Sequence, residues 1–268
     1  MDFKEKVSLG RTGLMVGRLG ISSSYGAPAQ AFEEAFERGC NYFTMGSLLK
    51  GRSKEMMKAI QNITAKGKRD DLVVALYDYT HTPMIGQRHF MKGLRKMGLA
   101  HVDVLLLGYY SSLPGKSVFD WAIRLKEKGL VRHLGVSSHN RKVFTEFSSK
   151  GLFDIYHVRY NAVNSGAEKD VFPQLPPDNK PGIVAFTATR WGQLLKEKKM
   201  PAGEKPLTAS ECYRFVLSHP SVNLCMTGAR NHQMMRENLE TLSLGPLTEE
   251  EMKRIRGIGD FIYGKRRD

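Results

Sequence analysis

Cysteine is scarce and scattered. Cys40, Cys212 and Cys225 are the only three among 268 residues, and no two stand at metal-ligand spacing. One is necessarily unpaired, so the chain reads as a protein of a reducing compartment, without a disulfide framework or a thiolate-held metal. No apolar run approaches the roughly 18 residues that a membrane span requires, and the opening MDFKEKVSLG lacks a signal peptide's apolar stretch. These absences place the expectation in the cytoplasm, with no membrane partner. Also missing are a Gly-x-Gly-x-x-Gly turn after the first predicted barrel strand and any cluster of Asp, Glu and His suited to a metal or to paired-carboxylate hydrolysis. Acidic charge is in short supply as well, with 27 Asp and Glu against 41 Lys and Arg, a net charge of +14. The basic residues are spread out, with short knots only at 66–69, 196–199 and 265–267. That pattern suits a solvated surface or a phosphate-bearing small molecule better than a specific nucleic acid.

What is present is globular: 41% hydrophobic and 25% charged residues, in a chain long enough to bury about three quarters of its unfolded surface without staples. After an opening segment that reads as a β-hairpin (3–9, turn 10–13, 14–19), short apolar runs alternate with stretches of helical period. Strands are predicted at 18–22, 41–45, 72–76, 102–107, 133–136, 155–158, 183–186 and 223–226. Helices are predicted at 30–38, 53–64, 84–97, 118–127, 140–149, 168–172, 209–217 and 231–239. Eight strand–helix units describe a (β/α)8 barrel of one domain over residues 1–268, with the hairpin plugging its bottom. A doubly wound open sheet would give a similar alternation, but the strand count favours closure. The Pro-rich stretch 172–182 then reads as a loop into the seventh strand. A last helix, 248–258, opens on a capping pattern at Thr248 and Glu251 and ends at Gly259.

In such a barrel reactive groups gather at the carboxyl ends of the strands. The eighth unit, Thr227-Gly228-Ala229-Arg230-Asn231, opens a helix carrying Glu237 and Asn238. A glycine permits close approach, a helix start offers free N–H groups and Arg230 adds a fixed positive charge, which together make an anion site suited to phosphate.

These residues resemble the aldo-keto reductases. The resemblance runs from Leu9-Gly10-Arg11-Thr12-Gly13-Leu14 through Asn41-Tyr42-Phe43, Gly51-Arg52-Ser53, the strand 102–107, Gly135-Val136-Ser137 and Tyr160-Asn161 to Gly228-Ala229-Arg230-Asn231 with Glu237-Asn238. It implies a barrel that binds NADP(H), or NAD(H), without a Rossmann motif and passes hydride to a carbonyl carbon. In that family a tyrosine protonates the oxygen, assisted by a lysine, an aspartate and a histidine. Here all four positions are substituted: Thr44 for the aspartate, Leu49 for the tyrosine, Tyr77 for the lysine and Gly108 for the histidine.

The resemblance also assigns cofactor contacts: Ser137, Ser138 and His157 to the nicotinamide carboxamide, Phe186 beneath the nicotinamide ring, Thr187 through Arg190 to Gly192 over the pyrophosphate, and Gly228, Arg230, Glu237 and Asn238 at the adenosine end. Met234 stands where a polar residue often holds the adenosine phosphate, so a preference for NADPH over NADH rests mainly on Arg230. Each contact has a structural reading beside it. Arg230 and Asn238 can cap and brace the last unit's helix, Phe186 can be barrel packing, and Ser137 and Ser138 can cap the helix predicted from 140. His157 can be a buried structural histidine. Tyr77 is the foremost substitute proton donor because it should enter the mouth where the lysine would; Tyr25, Lys50, His81, Tyr109 and Tyr110 are other polar groups on the mouth loops. Two functions stand open: an oxidoreductase acting on a small carbonyl or other electrophilic acceptor with a non-standard proton donor, or a barrel that holds a nucleotide without turnover.

Overall fold

The computed structural model describes residues 2–46 and 51–264. Two short strands, β1 (Val7–Ser8) and β2 (Met15–Val16), pair antiparallel. Eight more strands alternate with helices: β3 (Leu19–Ser22), α1 (Ala29–Glu37), β4 (Tyr42–Gly46), α2 (Lys54–Ala65), β5 (Val73–Asp78), α3 (Pro83–Met97), β6 (Val102–Leu107), α4 (Lys116–Glu127) and β7 (Val131–Ser138). The chain continues through α5 (Val143–Ser149), β8 (Ile155–Arg159), α6 (Ala167–Asp170), β9 (Gly182–Phe186), α7 (Ala209–Leu217), β10 (Leu224–Thr227), α8 (His232–Leu239), α9 (Thr241–Leu244) and α10 (Glu249–Gly264). Strands β3 to β10 run parallel and close, β10 pairing with β3, so the sheet is a (β/α)8 barrel and not an open doubly wound sheet.

Two apolar layers result, as a closed parallel sheet requires. Outside, the helices pack on strand residues such as Phe43, Leu105 and Val136. Inside, Tyr42, Val73, Ala75, Val104, Ile155, Val184 and Leu224 form a separate cluster that also takes in Leu9 and Val16. The opening segment therefore plugs the barrel, but its strands are shorter than predicted. Residues 3–6 and 9–14 are not strand: Phe3 is buried beneath the Arg18 guanidinium, 5.5 Å from its ring centroid, and residues 10–12 form a 3-10 turn. A Cβ on Gly10 would stand 2.2 Å from the Gly182 nitrogen, so this turn touches the base of β9 directly.

Two helix ends differ from the expectation by more than two residues. Helix α5 begins at Val143, not at 140, because Ser138 and Asn140 close a turn first, with the Asn140 N–H donating to Ser138 Oγ at 2.9 Å. Helix α10 does not stop at Gly259. It starts as predicted, with Thr248 N–H donating to Glu251 Oε2 at 2.8 Å and Glu251 N–H to Thr248 Oγ1 at 3.2 Å, then continues to Gly264. Gly259 is a packing contact: a Cβ there would lie 2.2 Å from the Ala162 carbonyl oxygen.

Candidate active site

Side chains alternate along a strand, so on β4, β5 and β8 the residues Tyr42, Ala75 and Ile155 that line the barrel interior also set the facing of Thr44, Tyr77 and His157. Three of these residues meet. His157, 1% exposed, lies between two phenols, with its Nε2 2.9 Å from the Tyr42 hydroxyl and its Nδ1 2.8 Å from the Tyr77 hydroxyl. Burial pushes the imidazole down to about 3, so the ring is neutral. Burial likewise raises Tyr42 and raises Tyr77 well above the ordinary phenol value. At Tyr77 the neighbouring tyrosines add to the rise, while a hydrogen bond with Ser137 opposes it. Tyr42 is fully buried, whereas Tyr77 is partly exposed at the mouth.

Above Tyr77 the mouth is roofed by stacked rings. Tyr79 stacks on Tyr77 with centroids 4.9 Å apart and 9° between planes, Tyr109 stacks on Tyr79 at 5.2 Å, and His139 on Tyr109 at 5.1 Å. Phe186 closes the series edge-on to His139 at 5.6 Å. Tyr109, at φ 60°, occupies the left-handed region that a bulky residue rarely enters, and its N–H donates to Ser137 Oγ at 3.1 Å.

Of the four substituted positions, Thr44 is buried, Tyr77 is the penultimate residue of β5, and Gly108 follows β6 with its N–H on the Asp78 carbonyl at 2.8 Å. Leu49, like Lys50, lies outside the described residues. The space beside Gly108 belongs to Tyr79. His81, at φ 53°, sets its Nε2 2.7 Å from the Gly108 carbonyl oxygen, to which it must donate, and stacks on Tyr110 at 4.3 Å. The Tyr110 hydroxyl is buried and meets no partner among the described residues.

The residues assigned to a cofactor fall into two groups. Around the eighth unit, the Tyr25 ring covers Gly228, where a Cβ would stand 2.5 Å from it. Buried Asn238 donates to the Gly228 carbonyl at 3.3 Å, and the Asn231 side chain caps α8 by accepting from Met234 N–H at 2.8 Å. Asn238 and Asn231 thus brace the turn. Arg230 is exposed and makes no hydrogen bond or ion pair among the described residues; Glu237 is exposed on α8 and accepts from Gln233. In the loop after the adjacent strand β9, Thr187, Arg190, Trp191 and Gly192 sit at φ 62°, 50°, 52° and 76°. Three non-glycine residues in the left-handed region within one loop cost on the order of 1–3 kcal/mol each. The loop is pinned by Asn161 donating to the Thr187 carbonyl at 2.9 Å and by Gly192 N–H donating to Thr189 Oγ1 at 3.1 Å. Ser137 is buried against Tyr109, and Ser138 spends its hydroxyl on the Asn140 turn. Both ring nitrogens of His157 are taken by tyrosines.

A guanidinium with no partner among the described residues, beside a glycine turn and one strand away from a strained loop, fits the phosphates of a dinucleotide. Among the described residues no group of three His, Cys, Asp or Glu could hold a metal, and no helix is long and apolar enough to cross a membrane. A surface cavity of about 710 Å3 lies elsewhere, between residues 246–249 and α10, and none of its lining residues belongs to the mouth.

Sequence reasoning did not find Tyr42 as the partner of His157, nor Tyr79 and His139 as the roof. Strand parity holds the signal for the first, because Tyr42 shares the inward face with Thr44. Tyr79 and His139 lie in loops, where no periodicity points.

The Aldo/keto reductase family model matches residues 13–211. The chain is 22% identical over 277 residues to the uncharacterized oxidoreductase YqkF of Bacillus subtilis (strain 168), covering 90% of each. It is 24% identical over 203 residues to the chloroplastic pyridoxal reductase of Arabidopsis thaliana, covering 66% of this chain and 55% of that one. Among solved structures, the holo form of aldo-keto reductase AKR11C1 from Bacillus halodurans superposes with a TM-score of 0.78 at 20% identity, covering 95% of this chain and 96% of that one. The thermostable aldo-keto reductase Tm1743 superposes with a TM-score of 0.73 at 22% identity, covering 94% and 99%. Barrel, strand order and a family match across about three quarters of its length agree: the chain belongs to the aldo/keto reductase family.

Proposed function

We propose that the protein is an NADP(H)-dependent oxidoreductase that reduces a small carbonyl or other electrophilic acceptor, with Tyr77 giving the proton. The observation that carries this reading is the setting of Tyr77: a partly exposed tyrosine near the end of β5 whose hydroxyl is met by His157 from within the barrel. When bound, the reduced nicotinamide supplies the hydride. Tyr77 supplies the proton to the acceptor oxygen as charge grows there, and its phenolate keeps its hydrogen bonds until water returns a proton. Arg230 holds the adenosine phosphate, the 187–192 loop covers the pyrophosphate, Phe186 and Ser137 line the nicotinamide end, and Gly228 and Asn238 shape the turn. His157 works behind Tyr77 and not on the carboxamide.

A titration with NADPH and then NADH, followed through the emission of Trp191 in that loop, tests the cofactor half. NADPH should quench and saturate. Arg230→Ala should weaken NADPH by about 10–100-fold, the worth of a charged hydrogen bond, and NADH far less. Equal affinity for NADPH in the variant, or no quenching at all, would overturn it.

A second reading, a nucleotide-holding barrel without turnover, is favoured by Tyr79, which fills the space beside Gly108 where an acceptor would be polarised. Saturable NADPH binding without turnover on a broad panel of carbonyls would select it.

A further inference from the structure

The interior pair of phenols around His157 imposes a direction on the hydrogen bonds, and that direction decides what Tyr77 can do. A neutral imidazole has one N–H and one lone pair, so one tyrosine gives a proton to the ring and the other receives one from it. The hydroxyl of Tyr42 is fully buried in the inner cluster with Val73, Ala75, Val104, Ile155 and Val184, and among the described residues its one polar partner is His157 Nε2, 2.9 Å away. If Nε2 carried the hydrogen, Tyr42 would accept it and its own proton would be stranded in an apolar interior. Leaving a buried donor unsatisfied shifts such an equilibrium by roughly 5- to 150-fold. If Tyr42 donates instead, its proton and Nε2 satisfy each other, Nδ1 carries the hydrogen, and Nδ1–H donates to the Tyr77 oxygen 2.8 Å away.

Ser137 Oγ, beside Tyr77, accepts the Tyr109 N–H at 3.1 Å. The Tyr77 oxygen thus accepts the His157 hydrogen bond, and its own proton is not committed to that ring.

We propose that Tyr42 fixes His157 as the Nδ1–H tautomer, which leaves the Tyr77 hydroxyl proton free to be given to an acceptor oxygen at the barrel mouth. Tyr42 and His157 are then positioning residues acting through Tyr77, a role that rests on the reading of Tyr77 as the proton donor. In the proton-transfer step the Tyr77 O–H bond breaks and an O–H bond forms on the acceptor. The phenolate is stabilised by the Nδ1–H donor, which keeps its own hydrogen, and it is reprotonated by water.

The test is the tautomer itself, read by nitrogen–proton correlation spectroscopy on the full-length protein labelled with 15N-histidine, with His157 assigned from the signal lost in His157→Gln. The expected result is a hydrogen on Nδ1, a bare Nε2, and no titration between about pH 5 and pH 8. In Tyr42→Phe the bias is removed, and Nδ1 occupancy should fall from near-complete to a mixture. A hydrogen on Nε2 in the wild type would overturn the proposal, as would a Tyr42→Phe spectrum still showing only Nδ1–H. Neither readout needs turnover: if the tautomer is as expected but Tyr77→Phe reduces acceptors at the wild-type rate, the lock stands and the donor assignment fails.

Discussion

A Cβ built on Gly108 would stand 2.4 Å from Cδ1 of Tyr79. The glycine after β6 and the tyrosine after β5 are therefore one feature: the ring occupies the volume that any side chain at position 108 would need, and its stack on Tyr77 holds it there. Replacing Gly108 with alanine should cost about 1–3 kcal/mol through overpacking. The loss should be largely absent when Tyr79 is alanine as well. Urea midpoints for the two single variants and the double variant check this; additive effects would mean that the two positions do not share the space.

The pH dependence of reduction follows from Tyr77. Burial and its tyrosine neighbours hold the phenol well above its ordinary value, so it stays protonated at every pH below about 10. As the acid of the reaction it should give kcat/KM no falling alkaline limb between about pH 7 and pH 9.5. A decline within that range would assign the proton to another group.

Stability should fall on the acid side because of His157. Its folded-state value of about 3 lies below the ordinary value of 6.5. The unfolded chain therefore binds a proton that the native state refuses, and the stability present above about pH 6.5 drains away as pH drops toward 3. At pH 5 the loss is on the order of 2 kcal/mol. His157→Gln, which can still reach both phenols, should lack that component; an identical loss from pH 7.5 to pH 5 in both proteins would contradict it.

Helix α10 contains a matched pair of glycines. Gly259 faces the Ala162 carbonyl, where a Cβ would lie 2.2 Å away, while a Cβ on Gly257 would meet nothing within 4 Å among the described residues. Gly259→Ala should destabilise by about 1–3 kcal/mol, and Gly257→Ala should stabilise by up to about 1 kcal/mol through helix propensity. Thermal unfolding of the two variants should move in opposite directions.

The barrel was legible because eight apolar runs separated by helical periods admit few closed arrangements, and the glycine turn that opens the eighth unit's helix because Gly228-Ala229-Arg230-Asn231 run together in sequence. The inner relay was not. His157 is separated from Tyr77 by 80 residues and from Tyr42 by 115, and only closure of the sheet brings the three inward-facing positions together. The aromatic roof was hidden for another reason: Tyr79, Tyr109 and His139 lie in loops whose paths depend on left-handed residues such as His81 and Tyr109, which no propensity favours. Gly259 misled because a glycine at a predicted helix end suggests a cap, while the same residue inside a helix can mark a close approach.

The central claim is that Tyr77 delivers the proton, and single-turnover hydride transfer measures it most directly. NADPH-loaded wild type and Tyr77→Phe would be mixed with the same acceptor and nicotinamide absorbance followed in a stopped-flow cell, after fluorescence titration has shown equal cofactor affinity. The account predicts a rate lower by about 10²–10⁴-fold in the variant, the span that a positioned general acid contributes. An unchanged rate at equal NADPH occupancy would contradict it.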